Sequence, residues 1–218
     1  MPLSKLNTLH WHIVDDESFP LILPSHPELA SSGRYSDAEI YTRTDVLEIV
    51  ALAEKNGVQV IPELDTPGHV RSWGLSSKWA NASIPCAGGT GYNGQLDISI
   101  AAVRTMVRDV IKEVESWFTN SPYFHFGGDE VSSACWDLRP AIKEYMDDFG
   151  LKNYAELQAF WRIDLKTELP AGRKAIFWRN DATDLIAGED DVVQYWGAQA
   201  DTAKGKPISI LSYQRNKK

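Results

Sequence analysis

Six short apolar runs, separated by helical patterns and loops, restrict this chain to an α/β fold with a parallel sheet. The runs are rich in β-branched and aromatic residues, as buried strands are. They span residues 7–14, 58–62, 123–126, 174–178, 191–196 and 208–211. Helical patterns cover residues 42–56, 100–118, 140–149 and 154–169. Strands that alternate with helices pair in parallel through right-handed crossovers.

The predicted fold class is an incomplete (β/α)8 TIM barrel of about six βα units, with the first and last strands missing. No glycine-rich phosphate-binding pattern follows any predicted strand, which disfavours the nucleotide-binding doubly wound folds. A strand begins within the first fifteen residues, and no apolar leader segment precedes it. We therefore expect residues 1–218 to be one partial barrel domain from a longer protein.

The amino-acid composition limits the kinds of molecule that the protein could bind. The chain has 218 residues, 43% of them hydrophobic, and a formal net charge of −8. This charge argues against nucleic acid or an anionic membrane surface as a partner. No apolar run is long enough to span a membrane. The eight tryptophans are a high count for this length, and some of them are expected to stack on the faces of sugars.

The segment H-F-G-G-D-E at residues 125–130 carries the strongest local signal. Gly127 and Gly128 allow a sharp turn or the close approach of a ligand. Asp129 and Glu130 then place two carboxylates at the end of a predicted strand. Catalytic carboxylates occupy such positions in parallel barrels, although a solvated turn would have the same composition.

Other predicted strands also end in polar or aromatic residues. Asp15 and Asp16 follow the first strand, and the second is followed by Glu63, Asp65 and His69. The fourth and fifth strands end in the aromatic residues Trp178 and Trp196. Because the carboxyl ends of parallel strands meet at one edge, these groups are expected to form a sugar-binding pocket. For either tryptophan, burial in the barrel core is the alternative.

His10 and His12 alternate along the first strand, so both imidazoles lie on one face. With Asp65 and His69 they suggest zinc as a minority interpretation. The two histidines lie inside the strand, several residues before its polar end, which disfavours zinc. No metal or other cofactor is expected.

The two cysteines, Cys86 and Cys135, both flank predicted loops. They are either unrelated thiols or a disulfide, which would imply an oxidising compartment. Asn81 begins an N-glycosylation sequon in the same loop as Cys86, and this gives the second interpretation some support.

Three segments together resemble the β-N-acetylhexosaminidases of glycoside hydrolase family 20. They are H-W-H-I-V-D-D-E-S-F-P at 10–20, P-E-L-D-T-P-G-H at 62–69 and H-F-G-G-D-E-V at 125–131. Their order and spacing match the family, and the resemblance extends from about residue 6 to about residue 212. It is nearest to the lysosomal and secreted eukaryotic branch, in which cysteines placed like Cys86 and Cys135 pair.

The resemblance implies a role for each motif residue. Glu130 would be the general acid/base, and Asp129 would bind the N–H of the substrate's 2-acetamido group. The acetamide oxygen would then attack C1 and form an oxazolinium ion, in a family that departs from the usual two-carboxylate scheme. Asp15 and His69 would support Glu130 through hydrogen bonds. Substrate-binding residues would be Trp178, Trp196, Asp16 and Tyr213.

The resemblance also implies substrates and a location. Expected substrates are glycans, glycolipids or chitin oligomers that end in N-acetylglucosamine or N-acetylgalactosamine. The parent protein is expected to be lysosomal or secreted, and a homodimer is possible. A sugar-binding, non-catalytic relative is the main alternative, and the presence of both Asp129 and Glu130 speaks against it.

The chain departs from the family at several points. The family's first-strand arginine and its last-strand tryptophan and glutamate have no counterpart here. Arg179 and Asn180 follow Trp178, where the family usually has Gln-Glu. We therefore expect these 218 residues alone to bind sugar poorly, since an open barrel also exposes two sheet edges.

Overall fold

Residues 1–85, 94–186, 191–195 and, for the backbone, 209–212 are described by a computed structural model. In these ranges the strands are β1 (Thr8–Val14), β2 (Gln59–Leu64), β3 (Ser83–Ile84), β4 (Gln95–Leu96), β5 (Tyr123–His125), β6 (Lys174–Trp178), β7 (Val192–Tyr195) and β8 (Ser209–Ser212). All except β3 and β4 form one sheet in the order β1-β2-β5-β6-β7-β8, and every neighbouring pair is parallel. In a TIM barrel, neighbouring strands are parallel and follow one another in chain order, as these do.

Helices cross between most of these strands. Those described are α1 (Pro27–Gly33), α2 (Arg43–Lys55), α3 (Ala101–Glu115), α4 (Ser133–Trp136), α5 (Pro140–Asp148), α6 (Tyr154–Lys166) and α7 (Thr183–Ile186). The start of α2 follows from its sequence, because Thr42 and Asp45 form a reciprocal capping box that satisfies free N–H groups of the first turn. Among the described residues, no helix is both long and apolar enough to cross a bilayer.

The strands alternate between two different environments. The outer face packs against the helices through large apolar side chains such as Phe124 and Phe177. Helix α3 contributes six buried residues, Val103, Met106, Val107, Val110, Ile111 and Val114. The inner face has a small apolar cluster of Ile61, Ile176 and Val192. Since side chains alternate with period two, the next inward positions are Glu63 and Trp178, and there the inner face becomes polar.

Several short elements were not predicted from the sequence. Helix α1 lies between the first predicted strand and the first predicted helix, and α4 and α7 have only four residues each. Residues 63–97, for which no strand or helix was predicted, contain the end of β2, two 3-10 helices (Arg71–Gly74 and Ser77–Trp79) and the antiparallel pair β3–β4. One or two turns are too short to show a hydrophobic period, so tertiary contacts decide whether they form.

Candidate active site

The inner-face side chains at the carboxyl ends of β1, β2, β5 and β6 converge on Glu63. This carboxylate is fully buried. Its Oε2 lies 2.6 Å from Nε2 of His10 and 3.0 Å from Nδ1 of His12. Burial alone would raise the pKa of Glu63, but the neighbouring histidines hold it well below its usual range. Glu63 is therefore a fixed buried anion within β2, not a residue of the following loop.

Trp178 and His125 complete the surroundings of Glu63. The indole Nε1 of Trp178 donates to Glu63 Oε1 at 2.7 Å. His125 is fully buried, and its Nδ1 accepts from the main-chain N–H of Gly127 at 2.9 Å. Burial lowers the pKa of His125 to about 4. His125 is thus a neutral imidazole that helps to shape the turn after β5.

Gly127 and Gly128 form that turn in backbone conformations that disfavour other residues. Their φ angles are +65° and +90°, in the left-handed region where glycine has no steric penalty. A Cβ on Gly127 would overlap the carboxylate of Asp65, and one on Gly128 would overlap the guanidinium of Arg162. The Gly128 N–H donates to Asp65 Oδ1 at 2.6 Å. The two glycines therefore let the turn pack directly on a buried acid and a buried base.

The carbonyl of Gly128 is held by three side chains. Arg162 Nη2 and Gln158 Nε2 donate to it from α6, and Asn180 Nδ2 donates at 2.7 Å from the end of β6. Burial lowers the pKa of Arg162 to about 10, so the guanidinium is still charged at neutral pH. Sequence reasoning missed Arg162, because a basic residue on an amphipathic helix is ordinarily solvent-exposed. These bonds fix the peptide that leads into Asp129.

Asp15, His69 and Glu130 form a hydrogen-bonded chain. His69 Nδ1 lies 2.7 Å from Asp15 Oδ1, and His69 Nε2 lies 3.1 Å from Glu130 Oε2. His69 has a φ of +54°, an uncommon conformation for a residue with a Cβ and one that often marks functional sites. The structure thus brings together three residues that the sequence placed on three separate segments.

Burial and neighbouring charges shift the pKa values of the residues in this hydrogen-bonded chain. Burial opposes protonation of His69, but the hydrogen bond to Asp15 and the charges of Asp65 and Asp15 raise its pKa to about 10. Burial would raise the pKa of Asp15, but hydrogen bonds from His12 and His69 lower it well below its usual range. At neutral pH, Asp15 is therefore a carboxylate and His69 an imidazolium.

In contrast to Asp15, Asp65 and Asp129 have raised pKa values. Burial, followed by repulsion from Glu63, raises the pKa of Asp65 to about 8. Burial, with repulsion from Glu130 and Glu63, raises that of Asp129 to about 6. One oxygen of each of these two acids lies within 4.8 Å of the other and of a His69 ring nitrogen. Acids with pKa values pushed apart in one cleft are typical of active sites.

The remaining predicted site residues differ in where they lie. Asp16 is buried, and its Oδ1 accepts from the main-chain N–H of Arg71 at 2.8 Å, so it holds the loop after β2. Trp178 is half-buried beside Glu63 at the inner face. Trp196 and Tyr213 lie outside the described residues. Their predicted contacts with substrate stay predictions, as does that of Asp16.

The sequence also predicts two covalent features, a disulfide and a glycosylated asparagine. Asn81 is exposed in the turn that precedes β3, where a glycan could be attached. Cys135 is buried in α4, whereas Cys86 lies outside the described residues. The pairing of the two cysteines and the glycosylation of Asn81 remain predictions.

Among the described residues, four overlapping groups of side chains have ligand atoms within 4.8 Å of one another, close enough to surround a metal ion. They are His10, Glu63 and His125; His12, Asp15 and His69; His12, Glu63 and Asp65; and Asp65, His69 and Asp129. In every group at least one imidazole already pairs with a carboxylate. We assign none of them as a metal ligand, and the metal-hydrolase alternative is untested.

Open space flanks the site on two sides. A cavity of about 290 Å³ borders Asp129 and is walled by Trp136 and Tyr154. A second cavity, of about 600 Å³, borders His12 and Asp15 at the free edge of β1. Paired acids with an imidazole–carboxylate chain at the carboxyl ends of parallel strands can move protons to and from a bound ligand. The arrangement is therefore suited to acid–base chemistry.

Comparison with known proteins identifies the family. The model of the catalytic domain of glycosyl hydrolase family 20 matches residues 1–209. The chain belongs to this family, as its motifs predict, and the prediction of a partial TIM barrel is confirmed.

Curated relatives include subunit beta of the β-hexosaminidases of cat and mouse. The cat subunit is 33% identical over 98% of this chain and 41% of its own length. The mouse subunit is 35% identical over 91% of this chain and 38% of its own length. The chain thus spans about two-fifths of the length of these relatives.

Solved structures agree with this assignment. A family 20 exo-β-N-acetylglucosaminidase from Vibrio harveyi, in complex with N-acetylglucosamine, has a TM-score of 0.75 and 25% identity. It covers 90% of this chain, which spans 34% of that protein. A chitobiase from Flavobacterium johnsoniae has a TM-score of 0.74 and 26% identity over 90% of this chain and 30% of its own.

Proposed function

We propose that this chain carries the catalytic centre of an exo-acting β-N-acetylhexosaminidase. The enzyme removes terminal non-reducing N-acetyl-D-hexosamine from β-N-acetylhexosaminides and retains the anomeric configuration. The substrate's own acetamide acts as the nucleophile, so no glycosyl-enzyme bond forms. No cofactor takes part.

The reaction divides between the two adjacent acids. Asp129 accepts a hydrogen bond from the acetamido N–H and turns the acetamide oxygen toward C1. As that oxygen bonds to C1, the bond to the leaving oxygen breaks, and Glu130 gives this oxygen its proton. Glu130 then takes a proton from water, which attacks C1 and opens the oxazolinium ring. General acid–base help of this kind typically contributes about 10²–10⁴-fold in rate.

The single observation that carries the proposal is the hydrogen bond between His69 and Glu130. It joins the Asp15–His69 pair to the acid beside Asp129, with 3.1 Å between His69 Nε2 and Glu130 Oε2. A solvated turn that holds Asp129 and Glu130 by chance would have no such support. The pKa of about 6 for Asp129 leaves it ionised above that pH, as an acceptor for N–H must be.

The finer assignments belong to the same proposal. Trp178, Trp196, Asp16 and Tyr213 would line the sugar pocket, and the substrates would be chitin oligomers, glycoprotein glycans or glycolipids. In support, the half-buried Trp178 donates from Nε1 to Glu63 Oε1 at 2.7 Å, so it lies beside the inner acids. Lysosomal or secreted location and a homodimer of the full-length protein are also proposed, and fractionation and light scattering test them.

The decisive experiment compares Asp129→Asn, Glu130→Gln and the control Asp148→Asn in the full-length protein. Asp148 is exposed at the end of α5 and lines neither cavity beside the inner acids. Aryl N-acetylglucosaminides with good and poor leaving groups serve as substrates. Glu130→Gln should be most harmful with poor leaving groups, because those depend most on protonation. Asp129→Asn should slow both classes alike, and Asp148→Asn should keep the parent rate.

A second arm tests the internal nucleophile. A substrate with a fluorinated acetamide has a less nucleophilic oxygen and should react much more slowly, and a thiazoline that mimics the oxazolinium should inhibit. Full activity of both site variants would refute the assigned roles. Glycan binding without turnover would favour the sugar-binding relative, and activity that is lost with a chelator and regained with zinc would favour the metal hydrolase.

A further inference from the structure

The hydrogen-bonded chain that ends at Glu130 does not stop at Asp15. Asp15 Oδ2, the oxygen not used by His69, lies 3.4 Å from Nε2 of His12. The other ring nitrogen of His12, Nδ1, lies 3.0 Å from Glu63 Oε2. Carboxylates and imidazoles thus alternate without a gap from the buried Glu63 to Glu130.

We propose that His12 and Glu63 extend the Asp15–His69–Glu130 chain to five members. In this chain His12 is a positioning residue, an imidazolium that holds Asp15 ionised and turned toward His69. The inference rests on the proposed function for its effect on turnover, but the charge of His12 can be measured without any substrate.

Glu63 is a suitable fixed end for such a chain. It is fully buried, and its two oxygens also meet Nε2 of His10 at 2.6 Å and Nε1 of Trp178 at 2.7 Å. A carboxylate with this many partners cannot rotate away from His12. The chain is therefore anchored in the sheet at one end, and only Glu130 at the other end meets the substrate.

Charge around His12 favours its protonated form. The titratable groups that interact with it or line its cavity are Glu63, Asp65, Asp15, His69, His125, Glu17, Glu39, Tyr35 and Tyr41. Acids outnumber bases in this set, and the His69 ring meets His12 edge-on at 5.7 Å between centroids. Burial opposes the charge, but the hydrogen bonds to Asp15 and Glu63 raise the pKa of His12 to about 11.

Both carboxylate oxygens of Asp15 have partners when His12 is charged, so the side chain cannot rotate. Oδ2 faces His12, while Oδ1 accepts from its neighbour Asp16 N–H at 2.6 Å and lies 2.7 Å from His69 Nδ1. Removal of the imidazolium would leave Oδ2 without its cation and would raise the pKa of Asp15. Because His69 needs an ionised Asp15 that is turned toward it, loss of the imidazolium should lower kcat with little change in KM.

Two substitutions separate charge from geometry. His12→Gln keeps a neutral donor near the position of Nε2, toward Asp15, and His12→Asn keeps one near Nδ1, toward Glu63. The matched control is His26→Gln, a nearly buried histidine that pairs with Asp109 on α3, away from the site. We expect both His12 variants to lose at least about tenfold in kcat with less than about threefold change in KM, and His26→Gln to match the parent.

The split between kcat and KM gives a readout that a merely structural role would not move, provided that kcat is normalised to the folded fraction measured by circular dichroism. A normalised kcat in His12→Gln equal to that of the parent would overturn the proposal, and so would an equal loss in His26→Gln.

Nuclear magnetic resonance of ¹⁵N-histidine tests the charge directly, without turnover. In the substrate-free full-length protein, the rings of His12 and His69 should both keep the nitrogen shifts of imidazolium at pH 8. A neutral ring at His12 would overturn the proposal of a five-member hydrogen-bonded chain even if the enzyme is active. Conversely, an inactive protein with two imidazolium signals would refute the proposed function but not this hydrogen-bonded chain.

Discussion

Replacement of Gly128 by alanine should test how tightly the turn before the paired acids is built. Gly128 has a φ of +90°, and a left-handed conformation costs a residue with a Cβ about 1–2 kcal/mol. The new methyl group would also overlap the guanidinium of Arg162. That side chain is fully buried and hydrogen-bonded to Asn180 and Thr183, so it has no room to withdraw. Such overpacking lowers the free energy of unfolding by about 1–3 kcal/mol more, the typical cost of extra methyl groups in a packed core.

The matched control is Gly172→Ala. Gly172 has a nearly identical φ of +88°, and nothing lies within 4 Å of the position of its Cβ. This variant should therefore lose only the backbone component, about 1–2 kcal/mol. Gly128→Ala should lose about 2–5 kcal/mol in total, and its activity should fall as well, because the peptide that carries Asp129 is displaced.

Urea denaturation of parent and variants, followed by tryptophan fluorescence, measures both losses. The quantity that matters is the difference between the two variants, since the conformational component cancels. Equal loss of unfolding free energy in Gly128→Ala and Gly172→Ala would show that the guanidinium does not confine the turn. Full activity in Gly128→Ala would show that the carbonyl clamp does not position Asp129.

Three further outcomes follow from the same contacts. Thr42→Ala should lower the free energy of unfolding by about 1 kcal/mol in denaturant titrations, whereas Thr42→Ser should not, because only serine keeps the capping oxygen. Asn180→Ala removes one donor to the Gly128 carbonyl and should cost about 1–3 kcal/mol, while the exposed neighbour change Asp181→Ala should cost nothing measurable in the same titration. The raised pKa of His69 contributes stability that is complete below about pH 6.5 and is lost as pH rises through about 10. The parent should therefore lose stability over this window more steeply than His69→Gln, by at most about 1.4 kcal/mol per pH unit, and parallel pH–stability curves would contradict this.

The order and type of the main elements could be predicted from sequence because each has its own local signal. Helix α3 has a clear hydrophobic period, and Thr42 with Asp45 marks the start of α2. Helices α1, α4 and α7 gave no such signal, because four to seven residues cannot display a period. Their formation depends on neighbours that are distant in sequence.

The candidate site divides in a similar way. The motifs named Asp15, His69, Asp129 and Glu130, because each follows a predicted strand or turn. They gave no sign of Arg162, which lies in the middle of α6 in an ordinary amphipathic pattern. Nor did they distinguish Glu63 as a strand residue that receives two histidines and an indole. Buried polar partners are invisible to a pattern that records only polarity and spacing.

The sequence by itself determined that this is a parallel α/β chain of the hexosaminidase family with acids at its strand ends. Period and motif are local properties, and both are written in consecutive residues. Only the tertiary structure decided the protonation of those acids and the partner of each. Asp15 and Asp65 are chemically the same side chain, yet histidine contacts lower the pKa of the first while burial beside Glu63 raises that of the second. The bond between His69 and Asp15 joins residues 54 positions apart, and the burial of Asp65 comes from the whole fold, so consecutive residues alone do not determine either shift.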